Sequence, residues 1–128
     1  MKNVVDAAGW IEYVSDGPQA GFFAPAIEKT ADLLVPSVVL LEVFRILVRQ
    51  VGEGPALEVA AAMRQATVVP LDATLALEAA RLAALHQLDA SGGAILATVG
   101  MHEATLWTAD SRFAYLPNVR YRDLQKPG

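Results

Sequence analysis

Four short apolar runs, "KNVVD", "DLLVPS", "TVVPL" and "ATLWT", are each separated from the next by one or two helical patterns. This alternation is the strongest constraint on the fold. Strands interleaved with helices of ten or more residues build βαβ crossovers and therefore a parallel sheet. After the first run comes "GWIEYV", broken at Asp16-Gly17-Pro18, and "QAGFFAPAIEKTA" resumes the helical pattern. Ser37 is placed to cap "VVLLEVFRILVRQV", with Val38, Leu41, Arg45 and Val48 on neighbouring turns and Gly52 as its end. "GPALEVAAAMRQA" carries Pro55, suited to a first helical turn. Asp72 caps "ATLALEAARLAALHQ", whose Leu75, Ala79, Leu82 and Leu85 share an apolar face. "NVRYRDL" supplies a last edge strand. The expectation is one domain over residues 1–128, a three-layer α/β/α unit with a short, mainly parallel sheet of four to five strands.

Composition bounds the chemistry. Of 128 residues, 54% are apolar and 19% charged, which is the balance of a packed chain and not of a disordered one. The absence of cysteine removes disulfides, thiolate nucleophiles and cysteine zinc sites, and fits a reducing cytoplasm. The first apolar run is too short, and too soon broken by Asp6 and Glu12, for a signal peptide, and no stretch reaches the length of a membrane span. A soluble, cytoplasmic protein is expected. The formal charge of −4 argues against a broad basic surface for duplex nucleic acid. Arg112, Arg120, Arg122 and Lys126 still leave a basic C-terminal end, readable as a solvated tail or as a binding arm in which Arg112 contacts nucleic acid.

Ligands of open α/β sheets gather beyond the carboxyl ends of the strands. Asp6 closes the first strand and Asp110 follows the fourth, while Glu42 is embedded in the otherwise apolar "PSVVLLEVFRIL". Each has an ordinary explanation: Asp6 as a helix cap, Glu42 paired with Arg45 or Arg49, Asp110 as a turn residue. Three acids converging on one crevice would repel one another unless a cation held them, and a hard ion, Mg²⁺ or Mn²⁺, suits an all-oxygen set. His86 and His102 have no metal-ligand spacing, and no serine-hydrolase elbow is present.

The pair Gly92-Gly93 is the oddity. It sits where a helix capped by Ser91, with Ala94 to Ala97 as its body, should be forming. Each glycine there costs roughly 1 kcal/mol relative to alanine. It matches neither a dinucleotide-binding nor a Walker loop, since no strand directly precedes it.

Taken together, "VVDAAGWIEYV", "VPSVVLLEVFRILVR", "VVPLDATLALEAARLA" and "ATLWTADSRFAYLPNV" resemble the PIN-domain ribonucleases, and more narrowly the VapC-type toxins of bacterial toxin–antitoxin pairs. The resemblance implies a metal-dependent endoribonuclease, with Asp6, Glu42 and Asp110 holding Mg²⁺ or Mn²⁺ and Thr108 as a hydroxyl residue beside them. It also implies a fourth acid at the start of the helix that ends "ILATV", and that acid falls on Gly92. Ala8 stands where the family often has serine or threonine. Two readings follow: Asp89, three residues earlier, substitutes for the missing carboxylate, or the site is depleted to three acids and cleavage is slow or lost. The implied partners are an RNA substrate, a cognate antitoxin that inserts a basic side chain, and a second copy in a homodimer. The apolar "GWIEYV", "GFFAPAI" and "VFRILV" are read as half core and half interface. A catalytically dead PIN-like binding module and a DNA-directed phosphoesterase are the alternatives.

Overall fold

Five strands make one parallel sheet in the computed structural model, which describes residues 1–126. In chain order the elements are β1 (Asn3–Val5), α1 (Ala7–Val14), α2 (Ala20–Glu28), β2 (Leu33–Pro36), α3 (Ser37–Val51) and α4 (Glu53–Met63). They continue with β3 (Thr67–Val69), α5 (Ala73–His86), α6 (Ala90–Met101), β4 (Thr105–Thr108) and β5 (Val119–Tyr121). The strand order is β3-β2-β1-β4-β5, and helices cover the sheet in a three-layer α/β/α arrangement. The central strand is buried on both faces, with Val4 and Val5 at 0% exposure, as all-parallel sheets require. Complete burial of such a side chain contributes about 1.5–3 kcal/mol.

The order of the strands determines where a ligand fits. From β1 the chain winds outward through β2 to β3, then crosses back to lay β4 on the other flank of β1. The winding therefore reverses between β1 and β4. Beyond the carboxyl ends of these two strands the loops diverge and leave a crevice.

Several local expectations shift by a residue or two. Ser37 is the first helical residue of α3 and not its cap; its hydroxyl accepts from the Leu71 amide at 3.0 Å, tying α3 to the loop after β3. Ser91 lies inside α6, because Asp89 is the cap: its extended backbone and its Oδ1, which accepts from the Gly92 amide at 2.8 Å, start the helix earlier. The buried stripe of α3 is Val39, Val43 and Leu47, so Leu41 points outward at 62% exposure. Leu85, grouped with the apolar face of α5, is likewise outside at 65%. Of the apolar segments, Trp10, Phe23, Ala26, Ile27, Val43 and Leu47 are core. No helix among the described residues is long and apolar enough to cross a membrane.

Half of the glycine oddity is packing. A Cβ built on Gly93 would lie 2.1 Å from the Ala79 carbonyl oxygen and 2.9 Å from the Ala83 Cβ. Helices α5 and α6 therefore approach closely enough that only hydrogen fits there. Gly93→Ala is expected to lower the unfolding free energy by about 1–3 kcal/mol through overpacking. Gly100→Ala, where a Cβ meets nothing within 4 Å, should be neutral or slightly stabilising. Urea denaturation of the two variants checks the contrast; equal stabilities would contradict the close approach.

Candidate functional site

The crevice at the reversal is a cleft of about 520 Å³ lined by Asp6, Glu42, Asp89, Asp110, Gly92 and Arg112 among others. Asp6 enters it because β1 ends at Val5 and α1 begins at Ala7, leaving one residue to make the turn. It is 5% exposed and fully engaged. Oδ1 accepts from the Gly9 amide at 2.8 Å, capping α1, while Oδ2 accepts from the Thr108 hydroxyl at 2.5 Å and the Ala109 amide at 3.1 Å. The cap role and the cleft role thus belong to one side chain. Burial pushes the Asp6 carboxyl above its ordinary range even though its three donors pull the other way, and Asp110 adds to the rise. Thr108, wholly buried, accepts in turn from the Asp110 amide at 2.9 Å, so it fixes both acids relative to β4.

Glu42 reaches the cleft from the second turn of α3, half-buried, with Ile46 also lining the cleft. The alternative explanation, an ion pair with Arg45 or Arg49, does not form; none of the ion pairs among the described residues involves Glu42. Burial raises its pKa first, then the Asp89 charge, with Arg45 opposing and Asp6 adding a little. Asp89 lines the cleft from the N-cap of α6, with its side chain 65% exposed. Its charge reaches Glu42, whose pKa it helps to raise. The N-termini of α1 and α6, where Asp6 and Asp89 sit, carry partial positive charge that offsets some of the repulsion.

Asp110 differs from the other three. Its Oδ1 accepts from the Arg112 backbone amide at 2.9 Å, capping the short turn Ser111–Phe113. The Arg112 guanidinium closes on both oxygens, with Nη2 to Oδ2 at 2.7 Å and Nε to Oδ2 and Oδ1 at 3.0 and 3.2 Å. Burial would raise the Asp110 pKa, but the Arg112 hydrogen bonds and charge outweigh it and hold the carboxyl below its ordinary range. The same guanidinium lies 3.8 Å from Asp89. Nothing in the spacing D-x-R announced this pairing; it depends on the turn between the two residues. Two more residues of the basic end pack on rings: Arg120 lies 4.6 Å over Trp107, and Arg122 4.8 Å over Phe22.

Four carboxylates around one cleft, two of them with pKa values raised first by burial and then by neighbouring acids, fit a hard dication in kind. They are brought to one cleft but not onto one point. Among the described residues, no three His, Asp or Glu side chains stand close enough to hold an ion as arranged. Gly92 faces the same cleft, and a Cβ there would lie 3.1 Å from Asp89 Oδ1, 3.2 Å from Leu88 Cβ and 3.5 Å from Phe113 Cζ. A side chain fits after a shift of a few tenths of an ångström. Unlike Gly93, this glycine is not imposed by a backbone contact. His86 bonds the Tyr115 hydroxyl at 2.9 Å and His102 is exposed; neither lines the cleft.

Because folding raises the Glu42 pKa, protonated Glu42 favours the fold. That contribution is full below the unfolded pKa and is lost as pH rises through the folded value. In chelator-treated buffer Glu42→Gln should therefore melt above the parent chain at about pH 8, with the gap closing as pH is lowered to about 4. Thermal melts across this range check it; a variant less stable at high pH would contradict the burial of Glu42 beside Asp89.

The PIN domain model matches residues 4–119. A toxin–antitoxin complex from Klebsiella pneumoniae superposes with a TM-score of 0.78 at 20% identity, over 93% of this chain and 96% of that one. The DNA-bound VapBC of Salmonella typhimurium gives 0.72 at 14% identity, over 97% and 98%. VapC20 of Mycobacterium tuberculosis, a toxin that cleaves the sarcin–ricin loop, gives 0.71 at 19% identity, over 91% and 95%. No curated protein matches in sequence.

Proposed function

The chain belongs to the PIN domain family, and from that premise we propose that it is a VapC-type endoribonuclease toxin of a toxin–antitoxin pair, dependent on Mg²⁺ or Mn²⁺. The observation that carries the reading is the meeting of Asp6, Glu42 and Asp110, far apart in sequence, around the cleft at the carboxyl ends of β1 and β4. The toxin–antitoxin complexes among the structural neighbours support the partner, and the loop-cleaving toxin supports the substrate class.

In this reading Asp6, Glu42 and Asp110 hold the ion, with Asp89 at its margin. A bound dication lowers the pKa of water and stabilises charge on the phosphoryl oxygens during hydrolysis. The chain's own contribution is positioning. Thr108 and the Ala109 amide fix the Asp6 carboxylate so that it cannot rotate away, and burial against the sheet keeps bulk water from solvating it. Glu42, unpaired among the described residues, keeps both oxygens for a ligand. An antitoxin, in turn, would inhibit by placing a guanidinium among these carboxylates, which pair with it bidentately. A homodimer in the cytoplasm completes the proposal.

A second reading has its own observation. Gly92 lines the cleft without a carboxylate, and Asp110 is already paired with Arg112. Both favour a PIN scaffold that binds an antitoxin or RNA without cutting.

The test is cleavage of structured RNA, beside matched DNA, with and without divalent metal. RNA cleavage that needs Mg²⁺ or Mn²⁺ and is lost in Asp6→Asn and in Glu42→Gln is expected; full activity after chelation contradicts the proposal. Gly92→Asp should accelerate cleavage roughly ten- to hundredfold if the site is depleted. An unchanged rate would show that the absent carboxylate is not what limits it.

A further inference from the structure

We propose that Arg112 is a built-in counter-cation of the cleft, and that a divalent ion recruits Asp110 only by displacing the Arg112 guanidinium from it. This rests on the reading of the cleft as a metal site and adds a control to it.

Both Asp110 oxygens are committed. Oδ1 accepts from the Arg112 amide and Nε, and Oδ2 accepts from Nε and Nη2. An ion approaching Asp110 therefore meets a carboxylate whose favourable directions are occupied, beside a positive charge that repels it. The occupant is held locally. The turn Ser111–Phe113 is anchored by Phe113, 2% exposed in the core, so the arginine backbone cannot drift from the acid it pairs with. The reach of Nη2 toward Asp89, at 3.8 Å, puts one guanidinium between two of the four cleft acids. Arginine stays charged throughout the physiological range, so pH does not open this contact. Only a competitor for the carboxylate or for the guanidinium does.

Among the described residues no three acids stand close enough to hold an ion as arranged. With Arg112 on Asp110, the negative charge at that end of the cleft is already balanced, and nothing draws Asp110 toward Asp6 and Glu42. Gly92 compounds this, since a carboxylate there would add to the pull on an incoming ion without being tied to the arginine. The guanidinium is 48% exposed at its side chain and has solvent to swing into, so release needs no unfolding.

The experiment is isothermal titration of Mn²⁺ into the intact chain, with Mn²⁺ electron paramagnetic resonance as a second readout and thermal melts in chelator to verify folding. Arg112→Gln should bind Mn²⁺ roughly tenfold more tightly than the parent, as expected for losing a charge-assisted bidentate competitor. The gain should vanish in the Arg112→Gln, Asp110→Asn double variant. Equal or weaker affinity in Arg112→Gln overturns the proposal, as does a gain that survives removal of the Asp110 carboxylate. Asp6→Asn separates the two levels. If it abolishes Mn²⁺ binding while Arg112→Gln changes nothing, the metal site stands and the gate falls. If Mn²⁺ binding is indifferent to Asp6→Asn in every background, the proposed function falls and takes the gate with it.

Discussion

Carboxylates crowded at one edge of a parallel sheet need a countercharge, and the way this chain supplies it shapes everything around the cleft. Asp6 is neutralised in part by three donors and the N-terminus of α1, Asp89 by the N-terminus of α6, and Asp110 by Arg112. Glu42 has only the more distant charge of Arg45, without an ion pair among the described residues, and it shares the upward pKa shift of Asp6. The dication proposed above would supply that countercharge to Asp6, Glu42 and Asp110 together. The local contacts visible here serve Asp6, Asp89 and Asp110 one at a time.

Much of this was legible beforehand because βαβ alternation leaves few topologies, and the carboxyl ends of strands are where ligands bind. The acids after β1 and β4 could be placed at one edge from their positions relative to "KNVVD" and "ATLWT" alone. Glu42 stood out because an acid in an apolar helix needs a reason. What could not be read was side-chain direction. A one-residue change in where a helix starts rotates its face by about 100°. Leu41 lies on the far side of α3 from Val39, Val43 and Leu47, Leu85 lies about 80° round α5 from Leu75, and Asp89, expected to precede a cap at Ser91, proved to be the cap itself. The Arg112–Asp110 contact was invisible for a related reason: it depends on a single turn of short helix that composition does not specify.

The glycine pair shows how neighbouring residues of one type can answer to different constraints. At Gly93 the Ala79 carbonyl leaves no room for a methyl group, so the residue is dictated by the packing of α5 on α6. At Gly92 the nearest atoms are a flexible carboxylate, a side-chain carbon and a ring edge, all at distances a small shift would relieve. In helix propensity both glycines are the same departure, and only the family resemblance singled out Gly92. Only the first has a structural cause; the second leaves the cleft short of a charge at a position facing it.

The shared dication is best tested by soaking crystals of the intact chain in Mn²⁺ and collecting anomalous diffraction. A single peak within coordination distance of Asp6, Glu42 and Asp110 oxygens, with the Arg112 guanidinium swung away from Asp110, is the expected result. A cleft without a peak at saturating Mn²⁺, or a peak bound by carboxylates elsewhere on the molecule, would contradict it.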